Sequence, residues 1–193
     1  MIYDITQPLF SCAVFPGDPA PKRDVLADMQ KGDVINLTAF SMCSHNGTHV
    51  DAPAHFIKDG KTVDQLDLSV FVGDCYVARH EGDVTAEDAR RILATAAREN
   101  ASERILIAGK AVVTEAAARV FAEAGIKLLG NESQTVGPED APMQVHLILL
   151  GAEVVLLEGV VLSHVPEGKY VLSAAPINLN ECEGAPCRAV LIP

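Results

Sequence analysis

Short apolar runs alternate with helix patterns through the second half of the chain, and this alternation restricts the fold most. Ile105–Ala108 and Val154–Leu157 are apolar at every position, as expected of strands buried on both faces. Helices are predicted over 86–99, from Thr114 to Gly125 and from Asp140 and Pro142 to Gly151. Further strands are predicted over 126–129, 170–173 and 188–192. This order favours an α/β protein.

The first half of the chain has a different pattern. Prolines interrupt short extended pieces, and helical periodicity is weak, so we expect β-structure and loops there. No repeat, low-complexity tract or Gly/Ser-rich linker divides the 193 residues, of which 49% are hydrophobic. We therefore predict one domain, 1–193, with a mixed, partly barrel-like β-sheet surrounded by helices.

Charge and local composition exclude several classes of protein. A net charge of -11 disfavours nucleic acid and anionic membrane surfaces as partners, because both carry the same sign. The first residues lack the basic segment followed by an apolar segment that forms a secretory signal, so we expect a cytoplasmic protein. The apolar tract 145–165 contains two glutamates and reads as buried core. The five cysteines are expected to be reduced; a Cys182–Cys187 clip is disfavoured by the turn residues between them.

Three histidines and an aspartate are concentrated in the stretch Ser44–Phe56. His45, His49, Asp51 and His55 are residue types that hold catalytic divalent metals. Glycine and proline within the stretch argue against a helix, and an extended His49–Val50–Asp51 places His49 and Asp51 on the same side of a strand. The alternative is a polar loop with solvent-facing histidines, but it must explain all four residues together. We therefore predict a metal site.

A second pair of candidate ligands lies further along the chain. Glu158 follows the apolar run 154–157, and His146 lies on the third predicted helix. A carboxylate at the end of a buried strand is costly unless a cation or donors meet it. Taken singly, Glu158 could be a solvent-facing strand end and His146 a satisfied core histidine. Together with the first cluster, they suggest a site for two divalent metals.

The segment from His45 to Phe56 closely resembles the His-x-Gly-Thr-His-x-Asp-x-Pro-x-His signature of the metal-dependent cyclase family, which includes bacterial kynurenine formamidases (arylformamidases). The resemblance continues through Phe15–Asp18, His146 with Glu158–Gly159, and Gly184–Ala189. It implies an α/β fold around a barrel-like sheet, two zinc or manganese ions per chain, and a homo-oligomer, either dimer or tetramer.

The same resemblance assigns roles to individual residues. It implies that His45, His49 and Asp51 bind the first metal, that Asp51 and Glu158 bridge to a second, and that His146 completes the second site. His55 is then the catalytic proton donor and acceptor.

Three departures from the family pattern concern the substrate. Phe15 stands where the kynurenine formamidases carry a tryptophan against the aromatic ring of the substrate, and is our candidate substrate-binding residue. Asn131–Glu132 stands where the family more usually has Ile-Asp. Many relatives have a longer loop near the active site, of which this chain has only Lys110–Val113. Because changes in loops alter which substrate an enzyme accepts, these departures weaken the inference that this chain has the same substrate as the kynurenine formamidases.

The hypothesis for function is hydrolysis of a small amide C–N bond, such as that of the aryl formamide N-formylkynurenine. Metal-bound hydroxide would attack the carbonyl carbon, and His55 would pass a proton to the leaving nitrogen. Opening of a cyclic amide or lactone is an alternative, as is a non-catalytic, metal-stabilised binding protein. A serine or cysteine hydrolase is disfavoured, since no Gly-x-Ser-x-Gly segment is present and Cys43 reads as a small buried residue.

Overall fold

The computed structural model describes residues 1–193 and is built around a nine-stranded sheet, curled into a half-barrel, with three helices. The strands are β1 (Tyr3–Asp4), β2 (Lys22–Ala27), β3 (Leu37–Ser41), β4 (His49–Asp51), β5 (Val72–Arg79), β6 (Gly82–Val84), β7 (Arg104–Ala108), β8 (Ala111–Val113), β9 (Leu128–Asn131), β10 (Val155–Glu158), β11 (Gly168–Ser173), β12 (Gly184–Pro186) and β13 (Val190–Ile192). The helices are α1 (Ala86–Arg98), α2 (Glu115–Glu123) and α3 (Met143–Gly151).

The sheet is mixed, as predicted. Its strand order is β1-β13-β11-β5-β7-β9-β10-β4-β12. The four central strands, β5, β7, β9 and β10, run parallel, and antiparallel strands extend the sheet on both sides. The parallel centre follows from the helices that connect its strands, because parallel neighbours need a crossover.

Each central strand contributes to two separate cores. On β7, Leu106 and Ala108 face one core and Ile105 and Ile107 face the other, as the two-residue period of a strand requires. All three helices pack on the second of these faces, whereas loops and outer strands fill the first. The predicted α/β architecture is confirmed, and the helices lie on one face of the sheet.

The predicted helices begin and end close to their expected positions. Thr85 and Thr114 each accept a hydrogen bond from a backbone N–H of the first turn of α1 and α2, which satisfies a donor that the helix leaves free. The strand predicted over 126–129 is found two residues later, as β9. The strand predicted over 188–192 begins only at Val190.

The hairpin formed by β2 and β3 lies outside the main sheet, and we call residues 22–41 the arm. Its strands pair only with each other, and almost all of its residues are exposed. The arm carries large apolar side chains that solvent reaches: Val25, Leu26, Met29, Val34, Ile35, Leu37 and Phe40.

All five cysteines are free, as predicted, so no Cys182–Cys187 clip is present. Cys43 is half-buried, with its sulfur 3.9 Å from Asp18 Oδ2, so the prediction of a small buried residue is wrong about its burial. None of the helices combines the length and the apolar character that crossing a bilayer requires.

Candidate metal centre

The register of two antiparallel strands places three ligand candidates on one face of the sheet. β4 lies between β10 and β12, with His49 opposite Glu158 and Asp51 opposite Leu156. Side chains at opposed positions share a face, and Leu156 belongs to the core that the helices cover. His49, Asp51 and Glu158 therefore point toward the helices, where α3 supplies His146.

The first group of candidate ligands consists of His45, His49 and Asp51. His45 Nδ1 lies 2.8 Å from Asp51 Oδ1, and His49 Nε2 lies 3.3 Å from the same oxygen. His45 precedes the strand on a turn through Gly47, whose φ of 66° is in the left-handed region that glycine adopts without strain. This turn brings a residue four positions away from His49 onto the same carboxylate oxygen.

The second group consists of Asp51, His146 and Glu158. His146 Nε2 lies 3.2 Å from Glu158 Oε1 and 3.6 Å from Asp51 Oδ2. Asp51 is thus common to both groups, with Oδ1 turned to the first and Oδ2 to the second. The structure brings together all five residues that the sequence proposed as metal ligands.

The donor set fits divalent cations. His49, Asp51, His146 and Glu158 are all buried, and Asp51 Oδ2 has no hydrogen-bond partner. A buried carboxylate oxygen without a partner is costly, and a cation between Asp51, His146 and Glu158 would remove that cost. In each group the ligand atoms lie within 4.8 Å of one another, as convergence on an ion requires.

Second contacts orient two of the imidazoles toward the carboxylates. His49 Nδ1 donates to the Gly47 carbonyl at 3.0 Å, and His146 Nδ1 donates to the Pro142 carbonyl at 2.9 Å. A carbonyl oxygen can only accept, so the proton stays on Nδ1 and Nε2 is free to bind a metal.

In the metal-free cluster, the pKa values of the candidate ligands show which protons the cations would replace. Burial opposes charge on His49 and His146, but the carboxylates outweigh it and raise the pKa of His49 to about 9 and that of His146 to about 10. Burial and the nearby Asp51 raise the pKa of Glu158. Despite its burial, Asp51 has a lowered pKa, because the imidazoles of His45, His49 and His146 lie within 3.6 Å of its oxygens and stabilise its charge. Protons on histidine thus do what divalent metals would do.

His55 belongs to neither ligand group. Its ring lies against that of His45, with centroids 4.1 Å apart, and 6.1 Å from that of His146. Burial lowers its pKa to about 4, and the neighbouring His45 and His146 act in the same direction, against the opposing effect of Asp51. His55 is therefore a neutral imidazole at pH 7 beside the candidate ligands.

A cavity of about 250 Å³ opens over the ligands and His55. Phe15, the predicted substrate-binding residue, lines it together with Phe56. Its polar wall contains residues that sequence reasoning missed: Asp18, Gln134 and Thr135. The buried Thr135 hydroxyl and both amide atoms of Gln134 have no hydrogen-bond partner. For Asp18, the sequence offered one signal of a place in the cavity wall: it directly follows the segment Phe15–Pro16–Gly17, which contains the predicted substrate-binding residue.

The Asn131–Glu132 departure has structural contacts of its own. Asn131 is buried, and its amide donates to the Thr135 carbonyl at 3.2 Å. Glu132 accepts from the Gly109 and Leu162 N–H groups. Of the short loop 110–113, residues 111–113 form β8, which pairs with β6. Neither Asn131–Glu132 nor the loop 110–113 lines the cavity, and Asn131 reaches it only through its hydrogen bond to Thr135.

The fold and the site together define a class: α/β half-barrel proteins with two His/carboxylate ligand groups that share one aspartate. The family model "Cyclase", described as "Putative cyclase", matches residues 3–138. The kynurenine formamidase of Bacillus anthracis is 34% identical, over 98% of this chain and 96% of the relative.

A solved structure described as a "Potential Metal-Dependent Hydrolase With Cyclase Activity" is 28% identical, with a TM-score of 0.82 over 99% of this chain and 96% of the other. A "predicted metal-dependent hydrolase" from Bacillus stearothermophilus is 27% identical, with a TM-score of 0.78 over 99% of this chain and 97% of the other. The chain belongs to the cyclase family.

Proposed function

We propose that this protein is a metal-dependent hydrolase that cleaves the C–N bond of a small amide, with an aryl formamide such as N-formylkynurenine as substrate. The observation that carries the proposal is the pair of ligand groups that share Asp51. The imidazole of His55 lies beside them and is a member of neither group. Structural metal sites usually close with four Cys or His ligands, whereas carboxylate-containing sets leave positions for a substrate. This donor chemistry favours an enzyme over a metal-stabilised binding protein.

The residues have separate roles in this proposal. His45, His49 and Asp51 would hold one divalent ion, and Asp51, His146 and Glu158 a second, with zinc or manganese as the expected metals. Such ions polarise a carbonyl group and lower the pKa of water. His55, neutral and without a hydrogen-bond partner among the side chains around it, accepts a proton from the attacking water and passes it to the leaving nitrogen.

The cavity supports a substrate with one flat apolar end and one polar end. Phe15 and Phe56 supply apolar surface, and Asp18, Gln134 and Thr135 supply polar atoms in addition to the candidate ligands and His55. The relatives named kynurenine formamidases support an aryl formamide. Phe15 offers less area than an indole and no N–H donor, so we expect a higher KM for N-formylkynurenine than a tryptophan at this position would give.

The test is hydrolysis of N-formylkynurenine by the full chain loaded separately with zinc and manganese. A chelator-treated sample and the Glu158→Ala variant are the controls, and we expect both to lose turnover. No turnover with about two metals bound per chain would overturn the aryl formamide and move the search to cyclic amides and lactones. No turnover on any of these would favour the binding-protein alternative.

The arm supports the proposal of a homo-oligomer, dimer or tetramer. An isolated two-stranded hairpin is marginal in water, and its unpaired edges invite pairing. Val34 is 91% exposed and Phe40 54% exposed, and such a patch normally marks an interface. The arm carries equal numbers of acidic and basic residues, three each, while the whole chain has a charge of -11. The arm itself therefore has no net charge to oppose contact between two copies.

Light scattering on the wild type and on an Ile35→Ser, Phe40→Ser double variant tests this arrangement. We expect an oligomer that dissociates in the variant, because the variant removes two exposed apolar anchors. A monomeric wild type would overturn the proposal.

A cytoplasmic location remains a prediction from the sequence.

A further inference from the structure

Glu183 is a carboxylate at the metal centre that belongs to neither ligand group. It comes directly before β12, the edge strand next to β4. Its Oε1 lies 3.2 Å from His45 Nε2 and accepts a hydrogen bond from the Ser44 hydroxyl at 2.7 Å. The side chain thus meets the ring nitrogen of His45 that points away from Asp51.

The orientation of His45 is opposite to that of the other two imidazoles. His49 and His146 turn Nδ1 to a backbone carbonyl and Nε2 to the carboxylates. His45 turns Nδ1 to Asp51 Oδ1, at 2.8 Å, and Nε2 to Glu183. An ionised carboxylate can only accept, as a carbonyl does, so Glu183 favours the proton on Nε2 of His45.

We propose that Glu183 is a positioning residue that holds the proton of His45 on Nε2 and so presents Nδ1 to the first metal. The inference rests on the metal centre of the proposed function but not on its substrate. A carboxylate behind a ligand imidazole fixes the ring and raises its basicity as a metal ligand. The backbone carbonyls behind His49 and His146 also orient those rings, but they carry no negative charge to raise the basicity of the ring.

The packing around His45 supports a fixed ring orientation. Gly184 lies directly behind the ring, and a Cβ at that position would be 2.6 Å from His45 Cε1. The ring of His55 lies on another side of it, with centroids 4.1 Å apart. The Ser44 hydroxyl holds the Glu183 carboxylate in place. Because the Glu183 side chain is 42% exposed, its effect on metal affinity should be moderate.

The test is a calorimetric zinc titration of the full chain after removal of metal by a chelator. The variants are Glu183→Gln, which keeps an acceptor without the charge, and Glu183→Ala, which removes both. Glu181→Gln is the matched control, because it removes one charge from an exposed position two residues away. His45→Ala defines the loss of the first site. Nitrogen NMR of the histidine rings in the zinc-loaded protein identifies which nitrogen binds.

We expect Glu183→Ala to weaken the first site by about 10- to 100-fold, with a smaller loss in Glu183→Gln and none in Glu181→Gln. The second site should keep its affinity. We expect zinc on Nδ1 of His45 and a proton on Nε2.

Wild-type affinity in Glu183→Ala, or zinc on Nε2 of His45, would overturn the inference. A loss equal to that of His45→Ala would also overturn it, since Glu183 would then be a ligand itself. Failure of amide turnover with these zinc results intact would overturn only the proposed substrate.

Discussion

His55 differs from the histidines around it in its distance from the buried carboxylates, and this difference separates the proposed proton carrier from the candidate metal ligands. His45, His49 and His146 each have a carboxylate oxygen within 3.3 Å of a ring nitrogen. His55 has no such oxygen, and its nearest ring neighbours are other imidazoles and Phe56. The three candidate ligands are therefore stabilised when they carry a positive charge, whereas His55 is stabilised as a neutral ring.

Replacing His55 by Gln should lower kcat by about 10²- to 10⁴-fold, which is the usual contribution of a positioned general acid or base. Metal content should remain normal, because His55 is in neither ligand group. Steady-state kinetics with metal analysis on the same sample checks both parts. Loss of metal together with activity would instead make His55 a ligand.

The sequence identified the candidate metal ligands more completely than the rest of the candidate site. His45, His49 and Asp51 are close in sequence and of types that bind metals, so their local pattern was sufficient. Thr135 and Glu183 have common residue types with no local pattern. Their function depends on loops that meet only in the folded chain, and this information is absent from a short stretch of sequence.

At the scale of elements, the turn of residues 45–48, which we call the ligand turn, and the end of β10 meet at Gly159. Its carbonyl accepts hydrogen bonds from the Thr48 hydroxyl and the Gln7 amide. Its φ of 65° lies in the left-handed region, and a Cβ there would overlap the Gly47 carbonyl oxygen and the Gln134 side chain. Gly159 thus sets the spacing between the turn that carries His45 and the strand that carries Glu158.

Gly159→Ala should lower the free energy of unfolding by about 2 kcal/mol, from strain and overpacking together, and should weaken metal binding. Gly125→Ala is the matched control, because Gly125 has the same φ but open space around it. Chemical denaturation and zinc titration of both variants check the result. Equal effects at the two positions would mean that backbone strain, rather than contact with the ligand turn, is responsible.

Helices and strands of the second half were predictable because each shows its own periodicity or apolar run within a few residues. The position of β4 was not. Its three residues pair with β10 on one side and β12 on the other, more than 100 positions away in sequence. No local pattern specifies such a partner, so the sequence placed His49 and Asp51 on a strand but could not place that strand in the sheet.

At the scale of the whole molecule, protons and metals compete for the same histidine nitrogens. In the metal-free protein, the raised pKa values of His49 and His146, about 9 and 10, keep both rings protonated at pH 7. Zinc must displace these protons, so its affinity should rise with pH from 7 to 9, with about two protons released per chain. Calorimetry in buffers of different ionisation enthalpy measures the protons released. Affinity independent of pH would contradict this.

The same residues make the stability of the metal-free protein depend on pH. A histidine whose pKa is raised by folding stabilises the fold fully below the unfolded value of 6.5, and this contribution is lost as pH rises through the folded value. We expect the free energy of unfolding of the metal-free protein to fall between pH 7 and pH 10. In the zinc-loaded protein this decrease should be smaller, since bound metal replaces the protons. Denaturation curves for both forms across this range check the difference.

The insertion of β4 between β10 and β12 has a consequence for synthesis of the protein. A ribosome makes His45, His49 and Asp51 early, but both neighbours of β4 come from the last 40 residues of the chain. The first ligands therefore stay unpaired on the nascent chain until the C-terminal strands emerge. We expect the protein to acquire its metals only after β10 and β12 have left the ribosome, and the incomplete sheet to be prone to aggregation until then.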